Sequence, residues 1–244
     1  MKSNTSTFQT NRLLSALVLL AVLLAGCSSR LRVGEVRTES QSVELGDAQS
    51  VQVEIKLGAG DLEVTGGTEK LLEADFTYNV AQLKPELEYT DGTLILSQPE
   101  NEGLPDLRGI TDFRNEWALR LNDRVPMDLR VDIGAGASEL RLAGLSLTGL
   151  DITLGAGGSV IDLSGDWARN LNVTMNAGAG DITVRLPKDM GVRVAVDAGV
   201  GAIEAPGLNQ DGNIYTNAAY GESEITLQVD IDAGVGQINL ELAD

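Results

Sequence analysis

The 244-residue sequence contains no histidine. That removes Ser-His-Asp and Cys-His catalysis, imidazole metal sites and imidazole proton shuttles, and leaves carboxylate, lysine, serine and tyrosine chemistry. Cys27 is the only cysteine, so the chain can form no internal disulfide. Basic residues are scarce: 18 against 36 acidic, for a formal net charge of −18. Nucleic acid and anionic lipid surfaces are both read by basic patches, and a deficit of this size argues against either as a partner. The more common meaning of such charge is solubility and repulsion at a surface. Aromatics make up only 4% of the residues. Trp117, Trp167 and four Tyr are dispersed, unlike the clustered rings on which polysaccharide-cleaving solenoids stack sugars. The longest apolar run, Leu13 to Leu24, is too short for a dedicated membrane-spanning helix.

Glycine, in contrast, is abundant, with 28 residues. It recurs as Gly-x-Gly at Gly58-Ala59-Gly60, Gly134-Ala135-Gly136, Gly155-Ala156-Gly157, Gly178-Ala179-Gly180, Gly199-Val200-Gly201 and Gly234-Val235-Gly236. Before each copy the chain alternates. The positions five, three and one residue ahead of the first glycine are apolar, as in Val53, Ile55, Leu57 and Leu129, Val131, Ile133 and Val173, Met175, Ala177. The residues between them are mostly polar, which is the period of a strand with one buried face. After the glycines the apolar positions change parity, to Leu62 and Val64, Leu140 and Leu142, Ile161 and Leu163, or Ile238, Leu240 and Leu242. A one-residue phase change would turn a continuous strand inside out, so the chain must bend or bulge at the second glycine. Glycine reaches the positive φ such a corner needs.

The middle copies start 21, 23 and 21 residues apart. A repeat of this length carrying a strand pair cannot cover its own apolar face, whereas stacked neighbours can. Each Leu, Ile or Val so buried contributes about 1.5–3 kcal/mol. The expected fold is all-β: a right-handed β-helix-like solenoid with glycine corners, the alternative being a β-sandwich of Gly-turn hairpins. Residues 1–26 read as a lipoprotein signal peptide, 27–49 as a tether and lead-in strand, 50–128 as an N-terminal β region with an inserted loop, and 129–244 as the solenoid repeats. Thr90-Asp91-Gly92-Thr93 carries a hairpin signal. Gln98–Asn115 and Pro206–Glu224 read as insertions and as candidate contact surfaces. The N-terminal region and the second insertion are candidates to cover the strand edges at the two ends of the stack.

Leu24-Ala25-Gly26-Cys27 directly follows the apolar run and a start bearing Lys2 and Arg12. It closely resembles the bacterial lipobox, which implies that Cys27 is lipidated and becomes the first residue of the mature chain. Acylated Cys27 would anchor the protein to the membrane and leave no free thiol. Ser28 follows it, rather than the Asp associated with inner-membrane retention in two-membrane bacteria, so outer-membrane placement is allowed. Residues 27–244 retain 16 basic and 36 acidic residues.

Two carboxylate readings arise. Gly58-Ala59-Gly60-Asp61 and Gly178-Ala179-Gly180-Asp181 share a Gly-x-Gly-Asp string with calcium β-rolls, but their period is more than twice the nine residues of a roll. In-register stacking would also build a ladder two residues ahead of each first glycine: Asp132, Thr153, Asn176, Asp197 and Asp232. Asp197 and Asp232, with Asp230 on the same face, are the candidates for a cation; a solvated acidic face is the other reading. The Gly-x-Gly strings are not phosphate loops, because strands rather than helices follow them. No cofactor is expected.

Leu57–Leu62, Leu72–Tyr78, Pro85–Tyr89, Trp117–Leu119 and Val125–Leu129 running into Gly134-Ala135-Gly136 resemble the toast-rack family of bacterial envelope proteins. Gly212–Leu240 is similar to the C-terminal domain of LiaF-type cell-wall stress proteins and to related adhesin-like proteins. The resemblance implies a right-handed β-helical stack and carries over no catalytic residues. The function expected is a non-catalytic binding, adhesion or structural module at the cell envelope. It would be held by the membrane through Cys27 and would meet an envelope protein or a glycan. The alternatives are a regulator of envelope-stress signalling and a polysaccharide-active enzyme.

Overall fold

Alternation before each glycine pair, and its reversal afterwards, builds two facing sheets. A computed structural model describes residues 33–99 and 112–243. Residues 1–26 and the lipidation candidate Cys27 lie outside them, as do residues 100–111 of the first insertion. In chain order, β1 (Arg37–Val43) leads into β2 (Val51–Ala59) and β3 (Asp61–Thr68). Then come β4 (Leu72–Tyr78), one 3-10 turn at Ala81–Leu83, the hairpin of β5 (Glu86–Thr90) and β6 (Thr93–Ser97), and β7 (Asn115–Asn122). Strands β8 (Met127–Ala135) and β9 (Ser138–Arg141), β10 (Leu147–Ala156) and β11 (Ser159–Asp162), and β12 (Leu171–Ala179) and β13 (Ile182–Pro187) form three successive coils. A fourth coil is β14 (Gly191–Val200) and β15 (Ile203–Glu204). After the short strands β16 (Asn209–Asp211) and β17 (Ile214–Thr216), the last coil is β18 (Thr226–Val235) and β19 (Ile238–Ala243).

One sheet runs β1-β4-β7-β3-β9-β11-β13-β19-β15 and the other β16-β17-β14-β18-β12-β10-β8-β2-β6-β5. The coils pair in parallel and in register: Leu150 sits beside Leu129 and Val173, and Ile152 beside Val131 and Met175. These side chains line one continuous interior, with Val131, Ile152 and Met175 fully buried. Parallel neighbours joined by crossovers set the hairpin sandwich aside and establish the solenoid.

The coils do not stack in chain order. The β18–β19 coil is inserted between β12–β13 and β14–β15. The other end mirrors this: β6 and β7 lie outside the β2–β3 coil, and the chain then passes over that coil to lay down β8 and β9 on its inner side. At each end the chain overshoots and returns. Beyond β14, the β16–β17 hairpin pairs antiparallel on the edge, so the second insertion covers that end of its sheet. At the opposite end β5, β4 and β1 add antiparallel strands. Phe76 of β4 meets Trp117 of β7 edge to face at 5.3 Å.

The corners explain the glycines. Every second glycine has positive φ, between 137° and 159° at Gly60, Gly136, Gly157, Gly180, Gly201 and Gly236. The corner residues also hydrogen-bond from coil to coil: Gly136 N–H donates to Ala156 O at 3.0 Å, Gly157 N–H to Ala179 O at 3.0 Å and Gly180 N–H to Val235 O at 2.9 Å. A Cβ on Gly157 would stand 1.8 Å from Gly136 O, and one on Gly155 would stand 2.1 Å from Gly134 O. The backbones therefore approach more closely than any side chain permits.

Strand β1 is the edge of its sheet and is held by a small polar network. Tyr78 Oη donates to Glu39 Oε1 at 2.7 Å, and Lys84 Nζ lies 2.8 Å from Glu39 Oε2. The bonds from Lys84 and then Tyr78 hold the Glu39 carboxyl below its ordinary range. A depressed folded-state value means that the contribution is present above the unfolded value and is lost as pH falls through the folded one. The protection factors of the Arg37–Val43 amides, taken relative to intrinsic exchange at each pH, are accordingly expected to fall as Glu39 is protonated while those of the β10 and β12 amides hold. Equal protection of β1 at pH 3 and pH 7 would contradict this.

Candidate functional site

Outside the core, side chains of the long sheet form polar ladders. The row two residues ahead of the corner reads Ser97, Lys56, Asp132, Thr153, Asn176, Asp232, Asp197. Asp197 and Asp232 are direct cross-strand neighbours. Asp230 is one row away and lies 3.7 Å from the Arg193 guanidinium, so its charge is already answered. Among the described residues no group of three acidic or thiol side chains is arranged to hold a metal ion. Two parallel carboxylates at a strand's spacing repel. Asp197→Asn is expected to raise stability by about 0.2–1 kcal/mol at low salt and by less in 1 M NaCl. A urea midpoint that falls would show that the pair is not repulsive.

The aspartates that follow the glycines have a structural use. Asp61 Oδ1 accepts the Ala137 N–H at 3.1 Å, and Asp181 Oδ1 accepts the Gln237 N–H at 3.0 Å. Each tethers the corner of the next coil.

The opposite end of the ladder carries a groove of about 790 Å³. Its floor is the backbone of Gly58, Gly134 and Gly155, which present no side chains. Lys56, Asp132 and Thr153 stand along it, and Ile95, Pro99 and Glu86 flank it. Gln98 closes the glycine column here. Its Oε1 accepts the N–H groups of Gly58 at 3.1 Å and Ala59 at 3.2 Å, which no neighbouring corner satisfies. Asn115 supports it, donating from Nδ2 to Ala59 O at 2.6 Å and accepting from Trp117 Nε1 at 3.0 Å. Because Oε1 is committed to these two N–H groups and also accepts from Asn115 Nδ2 at 3.4 Å, the amide cannot be flipped. Gln98 is only 6% exposed, and its Nε2 is the single buried side-chain polar atom without a partner among the described residues. An unanswered buried donor costs about 1–3 kcal/mol.

This corrects the reading of Gln98–Asn115 as a contact loop at both its feet: Gln98 and Asn115 are buried plugs, and Asn115 begins a strand. Likewise the second insertion is partly structural, since Tyr215 and Asn217 are buried. Tyr220 remains exposed there.

A second groove, of about 560 Å³, crosses the outer face of the shorter-stranded sheet. Glu63 and Glu139 line it, both paired with Arg141, alongside Asp61 and Glu116. In the first groove the Ser97 and Thr153 hydroxyls stand beside Lys56 and Asp132 on neighbouring strands, and no hydrogen bond joins them. What the first one offers is hydrogen bonding in both senses, from Lys56, which also pairs with Glu54 at 3.1 Å, as donor, Asp132 as acceptor and the Ser97 and Thr153 hydroxyls as both.

A two-sheeted parallel solenoid with glycine corners and surface grooves defines the class. Residues 32–185 match the profile of the N-terminal domain of toast_rack, and the chain belongs to the toast-rack family. That match ends before Gly212–Leu240, the part likened to LiaF-type proteins. A crystal structure from Clostridium sporogenes, described as a putative cell adhesion protein, is 33% identical with a TM-score of 0.78; the likeness covers 86% of this chain and all of that one. Proteins described as putative adhesins from Bacteroides fragilis (16% identity, TM-score 0.28, 84% and 97% covered) and Parabacteroides distasonis (11%, 0.32, 85% and 97%) are more distant, and those likenesses bear no weight here. A comparison with curated proteins gave no match.

Proposed function

We propose that this protein is a non-catalytic adhesion module of the bacterial cell envelope, exported and anchored through acylated Cys27. The observation that carries the reading is the likeness to the Clostridium sporogenes protein at 33% identity over that protein's whole length. The physical character of the chain agrees with it. A stack of coils hydrogen-bonded at every corner is a stiff spacer, and its long outer faces present rows of polar side chains instead of an enclosed reaction chamber. The acidic surface keeps such a module soluble and off anionic lipid, leaving the acyl group as its hold on the membrane.

The test is display of the full chain on a bacterial surface. Cells carrying it are expected to incorporate labelled palmitate at Cys27 and to adhere to one another or to an envelope or matrix preparation. Cys27→Ser is expected to lose the label, release the protein and abolish adherence. Palmitate labelling that survives Cys27→Ser, or adherence no greater than that of cells lacking the protein, would overturn the reading.

A further inference from the structure

One end of the glycine column is plugged and the other is open. Each coil donates two N–H groups across the corner to the coil beyond it, from the second glycine and from the residue two further on. Gly180 N–H donates to Val235 O at 2.9 Å and Ile182 N–H to Gln237 O at 2.8 Å. Gly236 N–H donates to Val200 O at 3.0 Å and Ile238 N–H to Ala202 O at 2.9 Å. In the last coil of the stack the same two donors are Gly201 and Ile203, and β15 is the edge of its sheet. Neither N–H has an acceptor among the described residues. The β16–β17 hairpin covers β14 only as far as Val196, whose N–H donates to Asn213 O at 2.9 Å. At the opposite end Gln98 and Asn115 answer the corresponding corner.

The side chains run out of cover at the same place. Ala177 and Ala233 are half-buried, whereas Ala198, next in their column, is exposed. Ile182 and Ile238 are buried, whereas Ile203 is half-buried. The corner residue is alanine in the earlier coils and becomes Val235 and Val200 here. At 56% and 69% these are the two most exposed large apolar side chains among the described residues. Asp197, Asp232 and Glu204 stand around them, all exposed. The cations of β13 and β14 are used elsewhere, Arg185 on Asp162 and Glu241 and Arg193 on Asp230. An unpaired strand edge and an exposed apolar patch each mark a place where another chain can add.

We propose that this open corner, Ala198–Glu204, docks an extended, basic segment of a partner protein as one further coil. Carbonyl groups of the segment accept from Gly201 and Ile203, an apolar residue stacks on Val200, and cationic side chains meet Asp197 and Glu204. Backbone pairing supplies affinity in such an addition, and side chains supply selectivity. The corner adds a second selection. A Cβ on Gly201 would stand 1.7 Å from Gly236 O, so a segment that turns the same corner must itself carry glycine there. The inference rests on the adhesion reading and names the partner class for it. A second copy of this chain fits less well, because it would set Asp197, Asp232 and Glu204 against the same acids.

The experiment uses the purified full chain and the labelled octapeptide Lys-Ala-Gly-Val-Gly-Ala-Ile-Lys, which is Asp197–Glu204 with lysine for both acids. One control peptide keeps the acids, and the other keeps the lysines but has alanine for both glycines. Anisotropy titrations at physiological salt are expected to show binding of the lysine peptide and at least tenfold weaker binding of either control. Val200→Lys is expected to weaken binding at least tenfold, and the double variant Asp197→Lys, Glu204→Lys to prefer the acidic peptide. All three positions are exposed, so melting temperatures are expected within a few degrees of the parent. Bound lysine peptide is expected to slow amide exchange at Gly201 and Ile203. No binding, equal binding of the alanine peptide, or unchanged exchange at those two amides would overturn the inference. So would sedimentation of the parent as a dimer that Val200→Lys disperses, which would assign the corner to a second copy. Surface display separates this from the adhesion reading. If Val200→Lys cells adhere like the parent, the docking assignment fails and the adhesion reading stands. If parent cells do not adhere at all, the adhesion reading fails whatever the peptides show.

Discussion

Gly157→Ala is expected to abolish the folded state. Gly157 is the second glycine of a central corner, with φ of 137°, and an added methyl carbon would lie 1.8 Å from Gly136 O and 2.8 Å from Gly136 C. The obstacle is backbone of the next coil, which is itself fixed between two others, so relief requires separating coils along the stack. Losses above about 4 kcal/mol are exceptional for one substitution, and a domain has only about 5–15 kcal/mol to lose. Gly144→Ala is the control: φ is also positive, at 84°, but nothing lies within 4 Å of the new carbon. It is expected to cost only the roughly 1–2 kcal/mol of a left-handed conformation. Urea unfolding followed by circular dichroism measures both. A Gly157→Ala protein as stable as Gly144→Ala would mean that the coils do not stack at the corner as described.

Asn217→Ala is expected to produce the second-largest loss, about 3–5 kcal/mol. Asn217 is buried and uses its whole side chain on backbone. Nδ2 donates to Pro187 O, Lys188 O and Met190 O at 3.3, 3.2 and 2.6 Å, and Oδ1 accepts the Val192 N–H at 3.0 Å. Alanine orphans these groups in a turn with little access to water. Asn217→Asp should be no better, because a carboxylate would face three carbonyl oxygens. Near the other end Asn122 does the same work, donating to Thr68 O, Glu69 O and Lys70 O at 3.0–3.1 Å and accepting from Arg124 and Val125. Asn122→Ala is expected to cost a comparable amount. Thermal melts of the three variants test this; a change under 1 kcal/mol in all of them would contradict it.

The two asparagines also mark how far residue patterns reach. The corners were legible because a phase change across a glycine pair has one simple solution, and the observed φ values at Gly60 through Gly236 are that solution. The inward columns were legible because alternation leaves one face apolar. The asparagine plugs were not, since an amide that holds a turn looks like any polar residue in a loop. A weaker signal did exist for others. Asn115 is in phase with Trp117, Leu119 and Leu121, which makes it an inward polar residue. Ser138 and Ser159 stand where other coils have Leu62, Ile182 and Ile238, and they are buried with their hydroxyls 2.7 Å apart. A polar residue in an apolar column is thus a flag for a specific bond. The groove was invisible because it depends on Gln98 ending a column of glycines, which only the stacking defines.

The coil order lay beyond the sequence for a different reason. Equivalent repeats have nearly interchangeable edges, so periodicity fixes the register of a coil but not its neighbour. The long Pro206–Glu224 connection is what permits the last coil to enter beside β12 rather than beyond β14. The C-terminal coil is therefore an interior layer, paired on both sides.

That order is tested most directly by cross-linking in a Cys27→Ser background, which carries no other thiol. Asn176 and Asp232 are paired neighbours, whereas Asn176 and Asp197 are separated by the intervening strand, about 9.6 Å at normal strand spacing. Disulfides need Cα atoms within about 7 Å. The double variant Asn176→Cys, Asp232→Cys is expected to oxidise to an intramolecular disulfide, and Asn176→Cys, Asp197→Cys to stay reduced. The reverse pattern would mean that the coils stack in chain order, contradicting the overshoot and return described here.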